Sequence, residues 1–477
     1  MKKILFLLLF ILIYTVHVSH LHSQNSMLYF LDNVPARNKL NPAFIPDSKW
    51  HLDMFFLPDL HTEVGNNAFS VKDIIFNKDG RAVTALHTSQ DIERFYQRVR
   101  NVNSFNTNLD LNLLSFGVSG NKDDYFTFDA SIRVLGRAFL PRDLFKLALY
   151  GTPEETGDNI FNLTKTGVET SVYSEIGFGY SRRLNEAWTV GGKFKYLMGY
   201  ASIHSINRRM NLNINQEAWT MDSDAEIFGS VPLDYQTKEN KNIDFSSFSP
   251  WATDEYMKLL RSPAGVGMAV DLGTTWQPFD PLTVSASLTD LGFIRWKKNL
   301  VQGGMNGSYE YTGVEYNKGD SINWEKIGNE LENAFQFGSS AGNPFSQRLT
   351  ANMLIGAEYS IQNNHISFGA LSRTMMLSSH ISQEITFAAN FRPTDWFNAH
   401  LTYSFLNGGG NTLGLGTKFR YGPFQTYIMT DYFPFRQAKL ITGDNGQTIN
   451  VPYSSRRINI QIGTVLTFGK KQELNVD

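Results

Sequence analysis

The chain has 477 residues, 42% apolar and 18% charged, with 43 Lys and Arg against 45 Asp and Glu. The resulting net charge of −2 excludes a disordered chain, which combines few apolar residues with a large net charge. It also excludes a basic nucleic-acid binder, which needs surplus Lys and Arg. With no cysteine, disulfide scaffolds, thiolate zinc sites, Fe–S clusters, cysteine nucleophiles and a lipidated N-terminal cysteine all fall away.

Met1-Lys2-Lys3 is a short basic start, and Ile4 to Val18 is apolar apart from Tyr14, Thr15 and His17. His20, His22, Ser23 and Gln24 make a polar exit. This order reads as a secretory signal peptide over residues 1–23. The apolar run is shorter than the roughly 20 residues of a spanning helix. No later run of 18 apolar residues occurs. Two classes remain, a soluble exported protein and a β-barrel of the bacterial outer membrane.

Residues 24–107 show no sustained alternation and read as an N-terminal hatch or plug segment inside a barrel, with 50–56 as an alternative wall strand. Phe44, Trp50, Phe55 and Phe56 need a surface to pack on. Asn41-Pro42 is a turn signal, because proline pushes the residue before it out of the helical region. Asp91 to Val102 reads as a short helix.

Residues 108–469 alternate with period two. In Trp188 to Ser202, Trp188, Val190, Phe194, Tyr196, Met198 and Tyr200 share one face. Thr189, Lys193 and Lys195 share the other. Successive strand side chains point to opposite faces, so this is one apolar and one polar wall. About 15 residues exceed the ~5–6 of an ordinary soluble strand and cover the 9–11 of a membrane strand. The pattern recurs at 126–134, 172–180, 266–276 and from 347 to 469. Trp188, Tyr200 and Trp276 read as members of an interfacial aromatic girdle. No fixed sequence period supports a solenoid or propeller.

Short turns fall at 183–186, 278–281, 362–364, 393–395 and 422–423, and long connections at about 136–166, 235–262, 297–346 and 434–455. That alternation matches the short inner turns and long external loops of outer-membrane barrels. The count is 14 strands, or 16 if residues 205–234 form a wall hairpin. Asn207 to Asn215 is polar on both faces, which favours 14. Asp143 to Tyr150 and Asn323 to Phe337 read as helices capping the external mouth. Residues 470–477 form a C-terminal tail. The fold class is therefore all-β, a transmembrane antiparallel barrel with a lumenal hatch and short helices in its external loops.

If the apolar face meets lipid, the lumen receives Asp129, Arg133, Glu175, Lys193, Lys195, Asp271, Glu358, Glu384, Arg392, Lys418, Arg420 and Arg457. Seven basic and five acidic residues argue against a pore of one sign. They can pair with one another around a plug. Inward Lys195 is expected to tolerate Glu better than outward Phe194 tolerates Arg.

No catalytic constellation emerges. Of the seven histidines after residue 23, none stands at HxxxH or HExxH spacing, and GxSxG and P-loop motifs are missing. Asp222-Ser223-Asp224 lacks the rest of an EF-hand loop. Gly408 to Gly410 reads as a turn, and His400 as a solvated lumen residue. The expectation is a non-enzyme without metal or cofactor.

Asn41-Pro42-Ala43 soon after a signal peptide and ahead of long strands resembles the N-terminal hatch of FadL-like transporters of hydrophobic compounds. Asp271-Leu272-Gly273 and the stretch Leu282 to Trp296 resemble an uncharacterised Bacteroidetes outer-membrane barrel family. That family is itself similar to FadL and to PorV of the type IX secretion system. The resemblance implies 14 strands, a lumen closed by the hatch, and passive passage of a hydrophobic small molecule toward an opening in the wall. Asn41, Pro42 and Ala43 would be the hatch element. Outer-membrane lipid, a hydrophobic ligand and an envelope protein are the implied partners. The alternative function is a non-transporting interaction barrel similar to PorV. Nine residues, Gly469 to Asp477, follow Phe468, a departure from barrels that end on their last aromatic residue.

Overall fold

The computed structural model describes residues 26–54, 59–78, 81–151, 159–215, 218–237, 243–250, 258–311, 338–377, 381–406, 410–430, 437–442, 447–452 and 457–470. The signal peptide, the helix expected at 323–337 and nearly all of the tail lie outside the described residues.

Fourteen antiparallel staves close on themselves. The first stave has two pieces, β1 (Ser48–Met54) and β2 (Leu60–Asn66). The next are β3 (Val102–Ser119), β4 (Asp124–Pro141), β5 (Gly167–Arg183) and β6 (Trp188–Ile214). After β7 (Trp219–Ser230), which leaves the wall, come β8 (Gly265–Phe279) and β9 (Leu282–Trp296). Past β10 (Leu300–Tyr311), also outside the wall, the short β11 (Phe345–Arg348) leads into β12 (Ala351–Ile361). The last staves are β13 (Ile366–Met376), β14 (Ile381–Thr394), β15 (Phe397–Leu406), β16 (Gly410–Tyr421), β17 (Phe424–Thr430) and β18 (Arg457–Lys470). Closure is made by β18, which pairs with β17 on one side and with β1 and β2 on the other. Closing the sheet satisfies the backbone without an edge.

The wall therefore begins at Ser48 and not near residue 108. Residues 24–107 divide into three parts: a segment before Ser48, the first stave, and an external cap. Two pieces of seven residues each give no sustained period to read. In the cap, Thr88 Oγ1 accepts the Asp91 N–H and so opens α1 (Ser89–Tyr96). Phe145 and Leu149 of α2 (Arg142–Tyr150) pack on Phe69 and Phe95. Both helices match sequence expectations in place, though α1 ends before Val102.

β6 runs on past Tyr200 for fourteen residues, to Ile214, and pairs there with β7, which pairs in turn with β10. This sheet stands beyond the end of β8, so residues 205–234 build an extension and not two further staves. Tyr200 lies within the strand, and its hydroxyl meets Ser174 Oγ at 2.6 Å. Trp188 and Trp276 sit at the short-turn end, stacked with centroids 5.7 Å apart.

Outward side chains are apolar and uncovered along the wall. Phe194 is 48% and its cross-strand partner Phe178 57% exposed, while Lys193 and Lys195 on either side of Phe194 are buried. Among the described residues no helix is long and apolar enough to cross a membrane, so the strands carry the apolar belt. Two outcomes are expected. The folded protein should migrate faster unboiled than boiled on a detergent gel, because a closed barrel leaves no backbone group unpaired. Phe194→Arg should destabilise assembly by roughly 2–4 kcal/mol, read as loss of the fast-migrating band.

Candidate functional site

The site is the lumen. Residues 26–46 cross it with little regular structure, as two 3-10 turns at Leu28–Phe30 and Pro35–Lys39. Their polar groups are taken up by inward side chains from many staves. Arg392 Nη2 donates to Phe30 O (3.3 Å), Lys418 Nζ to Asp32 O (2.6 Å) and Gln425 Nε2 to Asn33 O (2.9 Å). Ser287 Oγ donates to Leu40 O (2.7 Å), and Ser26 Oγ to Glu384 Oε1 (3.0 Å). Met27, Leu28, Leu31 and Val34 pack on Tyr427 and Met429, while Tyr29 and Phe30 pack on Leu354 and Leu371. Burial opposes ionisation of Asp32, but Arg392, Arg37 and Lys418 hold its carboxyl below the usual range.

Asn41, Pro42 and Ala43 are seated in the wall of this lumen. Asn41 Nδ2 donates to the carbonyls of Thr274 and Ala286 on the paired strands β8 and β9, at 3.2 and 3.3 Å. Its Oδ1 accepts the Ala43 N–H at 2.9 Å, which fixes the turn. Pro42 O accepts from Ser181 Oγ (2.5 Å) and Asn38 Nδ2 (2.9 Å). The seat exists because the wall has no side chain there. A Cβ at Gly273 would fall on Asn41 Oδ1, and one at Gly191 on the Pro42 carbonyl. Gly356 and Gly369 make the same room for Tyr29 and Phe30.

A charged layer lies beside the segment. Lys195 Nζ sits between Asp271 Oδ2 (2.8 Å) and Asp290 Oδ1 (2.6 Å). Arg133 joins Asp290 Oδ2 (3.0 Å), Glu175 Oε1 (3.2 Å) and Asp110 Oδ2 (3.5 Å). Lys193 Nζ pairs with Asp129 Oδ2 at 2.5 Å. The segment contributes Lys39, whose ammonium lies 3.7 Å from Asp110 and 4.0 Å from Asp59. Burial works against its charge, yet Asp110 and Asp59 hold it above the usual lysine range. Nearer the short-turn end, Arg392 pairs with Glu358 at 2.6 Å.

Of the residues expected to face inward, Asp129, Arg133, Glu175, Lys193, Lys195 and Asp271 come together in this layer. Glu358 and Lys418 lie lower, against the segment. Arg420 stands apart at the short-turn rim, where its Nε meets Gly422 O. The side chain of Arg457 lies outside the described residues. His400 is not solvated. It is buried over Gly416, with neither ring nitrogen hydrogen-bonded.

The expected charge balance reverses. Among the described residues, the lumen wall carries eleven acids: Asp53, Asp59, Glu63, Asp110, Asp129, Glu169, Glu175, Asp271, Asp290, Glu358 and Glu384. It carries seven bases: Arg133, Arg137, Lys193, Lys195, Arg373, Arg392 and Lys418. Asp53, Asp59 and Glu63 are absent from the expected inward set because residues 50–56 were only an alternative wall strand without assigned faces, and Leu60–Asn66 was not read as a strand. Sequence reading missed Asp290 because a bulge changes the facing of β9. Ser285, Ser287 and Thr289 point inward, then Asp290 adopts φ 59° and joins them, and Leu291 turns out. A bulge adds a residue and re-aims a side chain. Asp and Asn are the non-glycine residues that best tolerate this conformation.

Two wide vestibules flank the segment and the charged layer. The one at the short-turn end has about 950 Å³, lined by Asp32, Arg37, Phe44, Thr189, Glu358 and Arg392 among others. The external one has about 1070 Å³, lined by Val99, Val102, Phe139, Glu169, His204 and Ile206 among others. Between them lies a small cavity of about 50 Å³ of mixed lining, bounded by Lys39, Asp110, Arg133 and Asp290 together with Leu40 and Leu354. No group of three or more His, Asp or Glu arranged to hold a metal ion occurs among the described residues.

Fold and lumen define a transmembrane β-barrel of fourteen staves whose interior is crossed by residues 26–46. The chain belongs to DUF5723, a family of unknown function matched over residues 42–431. No protein of curated function matches it in sequence. Solved structures similar to it include the toluene transporter TodX of P. putida, at 9% identity over 94% of this chain and 96% of that one, with a TM-score of 0.40. A Pseudomonas aeruginosa FadL homologue gives 10% identity over 92% and 95%, with a TM-score of 0.40. The translocator domain of the Neisseria meningitidis autotransporter NalP gives 8% over 88% and 89%, with a TM-score of 0.33. The barrel is established by its own strand pairing and not by these likenesses.

Lys195 supplies a sharp test of the layer. Lys195→Glu would gather three carboxylates and should abolish folding, contrary to the mild effect expected from an inward position alone. Lys195→Met should cost about 3–5 kcal/mol, because it leaves buried Asp271 without a counter-charge and Asp290 with Arg133 alone. The combined Lys195→Met, Asp271→Asn and Asp290→Asn chain should recover part of that loss, measured by urea unfolding in detergent.

Proposed function

We propose that this protein is a gated transport barrel of the bacterial outer membrane, held shut by residues 26–46. The observation that carries the reading is the pair of vestibules, about 1070 and 950 Å³, kept apart by one short segment and one charged layer. A barrel serving only as an anchor gains nothing from two wide vestibules around a plug. An apolar belt with short turns at one end and long loops at the other is the pattern of outer-membrane barrels, which supports that localisation.

The solute class follows from the lining. Val99, Val102, Phe139 and Ile206 give the external vestibule apolar surface among polar groups. The layer beneath it is ion-paired, so a wholly apolar solute finds no matching wall there. Small hydrophobic molecules with one polar end fit both. Asn41, Pro42 and Ala43 act as the hatch element, anchored on Gly191 and Gly273.

The second reading is a non-transporting interaction barrel similar to PorV. It would use the extension built by β6, β7 and β10, which bears Arg208, Arg209, Asp222, Asp224 and Glu226. These charges are paired with one another, which leaves it the weaker reading.

Planar-bilayer conductance tests the gate. The intact protein should show no steady current. Deletion of residues 26–46, or Gly273→Leu, should open a pore while keeping the fast-migrating band on a detergent gel. Steady porin-like current from the intact protein would defeat the proposal.

A further inference from the structure

We infer that the opened lumen selects cations, and that the polar end of a transported solute is an ammonium and not a carboxylate. The inference rests on the gating reading above and adds the charge of the solute. Its basis is the lumen wall below the external vestibule, where, with Glu169 left to that vestibule, ten acids face seven bases among the described residues. Rings of Asp and Glu make cation paths, because the dry wall does not screen their field. The segment itself brings Lys39 to this wall. Its ammonium lies between Asp59 and Asp110 at 4.0 and 3.7 Å, beyond hydrogen-bonding distance of either.

The seat is incompletely filled. Asp53 Oδ1 and Asp110 Oδ1 are buried and make no hydrogen bond. Both carboxylates border the small cavities on either side of Lys39. The lysine thus occupies the place of a mobile cation, and withdrawal of the segment leaves Asp59 and Asp110 without it. The external mouth has the opposite bias, with Arg100, Arg142 and Lys165 against Glu169. Those groups line a wide hydrated vestibule, where salt screens charges beyond about 8 Å. Selectivity is set at the narrow buried layer.

The experiment uses the chain lacking residues 26–46, with full-length Gly273→Leu as a second opened form in case the deletion fails to fold. Reversal potentials are measured in a KCl gradient across a planar bilayer. The expected result is a preference for K⁺ over Cl⁻, reduced toward parity by Asp59→Asn with Asp110→Asn. Externally added 2-phenylethylammonium should block the K⁺ current at lower concentration than phenylacetate. A conducting barrel with no cation preference, or one blocked better by phenylacetate, overturns the inference and leaves gating intact. Two folded opened forms that carry no current overturn the gating reading, and this inference with it.

Discussion

A closed sheet of fourteen staves encloses more space than its own inward side chains fill. Eight strands already give an interior just wide enough for side chains. A wider barrel either admits water or must be filled by something else. Here the filling comes from residues 26–46 and from ion pairs that reach across the lumen. The glycines at 191, 273, 356 and 369 follow from the same constraint, since each leaves room on the wall for an atom of the filling segment. So do the lysine and arginine side chains that cap the segment's carbonyls. Buried backbone groups outside regular structure need such partners.

The wall was legible in the sequence because alternation over fifteen or more residues has few other causes. The lumen was only half legible, because facing is inferred by counting in twos, and each bulge resets the count. Resets occur between Asn112 and Leu114 on β3, at Tyr200 on β6 and at Asp290 on β9. The last one hid the acid that holds both Lys195 and Arg133. The first stave was legible only as the alternative wall strand at 50–56, which overlaps Ser48–Met54, and its second piece was not read. Its pieces, Ser48–Met54 and Leu60–Asn66, are each seven residues long, too short to stand out from a soluble background. Leaving it without assigned faces removed three inward acids from the count and gave the lumen the wrong sign.

The two Asp-Leu-Gly triplets show how identical letters take different work from local geometry. Asp271 keeps the facing of its strand and meets Lys195. Asp290 reaches the same lysine only through its left-handed backbone, and its own N–H is held by Asp271 Oδ1 at 2.7 Å. Gly273 leaves the space that Asn41 fills. Gly292 has no such role toward the segment. A Cβ there would strike the Met268 carbonyl on the neighbouring strand, so its smallness serves the bulge.

The patches that carried the family resemblance, Asn41 to Ala43 and the stretch 271–296, are far apart in sequence and continuous in space. Asn41 bonds the carbonyls of Thr274 and Ala286 and fills the niche at Gly273. Two residues before it, Lys39 enters the acid layer to which Asp271 and Asp290 belong. Seat and charge are therefore coupled through a few residues of chain. A shift that lifts Asn41 from β8 and β9 also draws Lys39 away from Asp59 and Asp110. The remaining wall acids then face one another with fewer counter-charges, and their repulsion resists the segment's departure until water or a cation enters. On the gating reading proposed above, the segment is held by the charge balance of the whole lumen as well as by the contacts it makes at its seat.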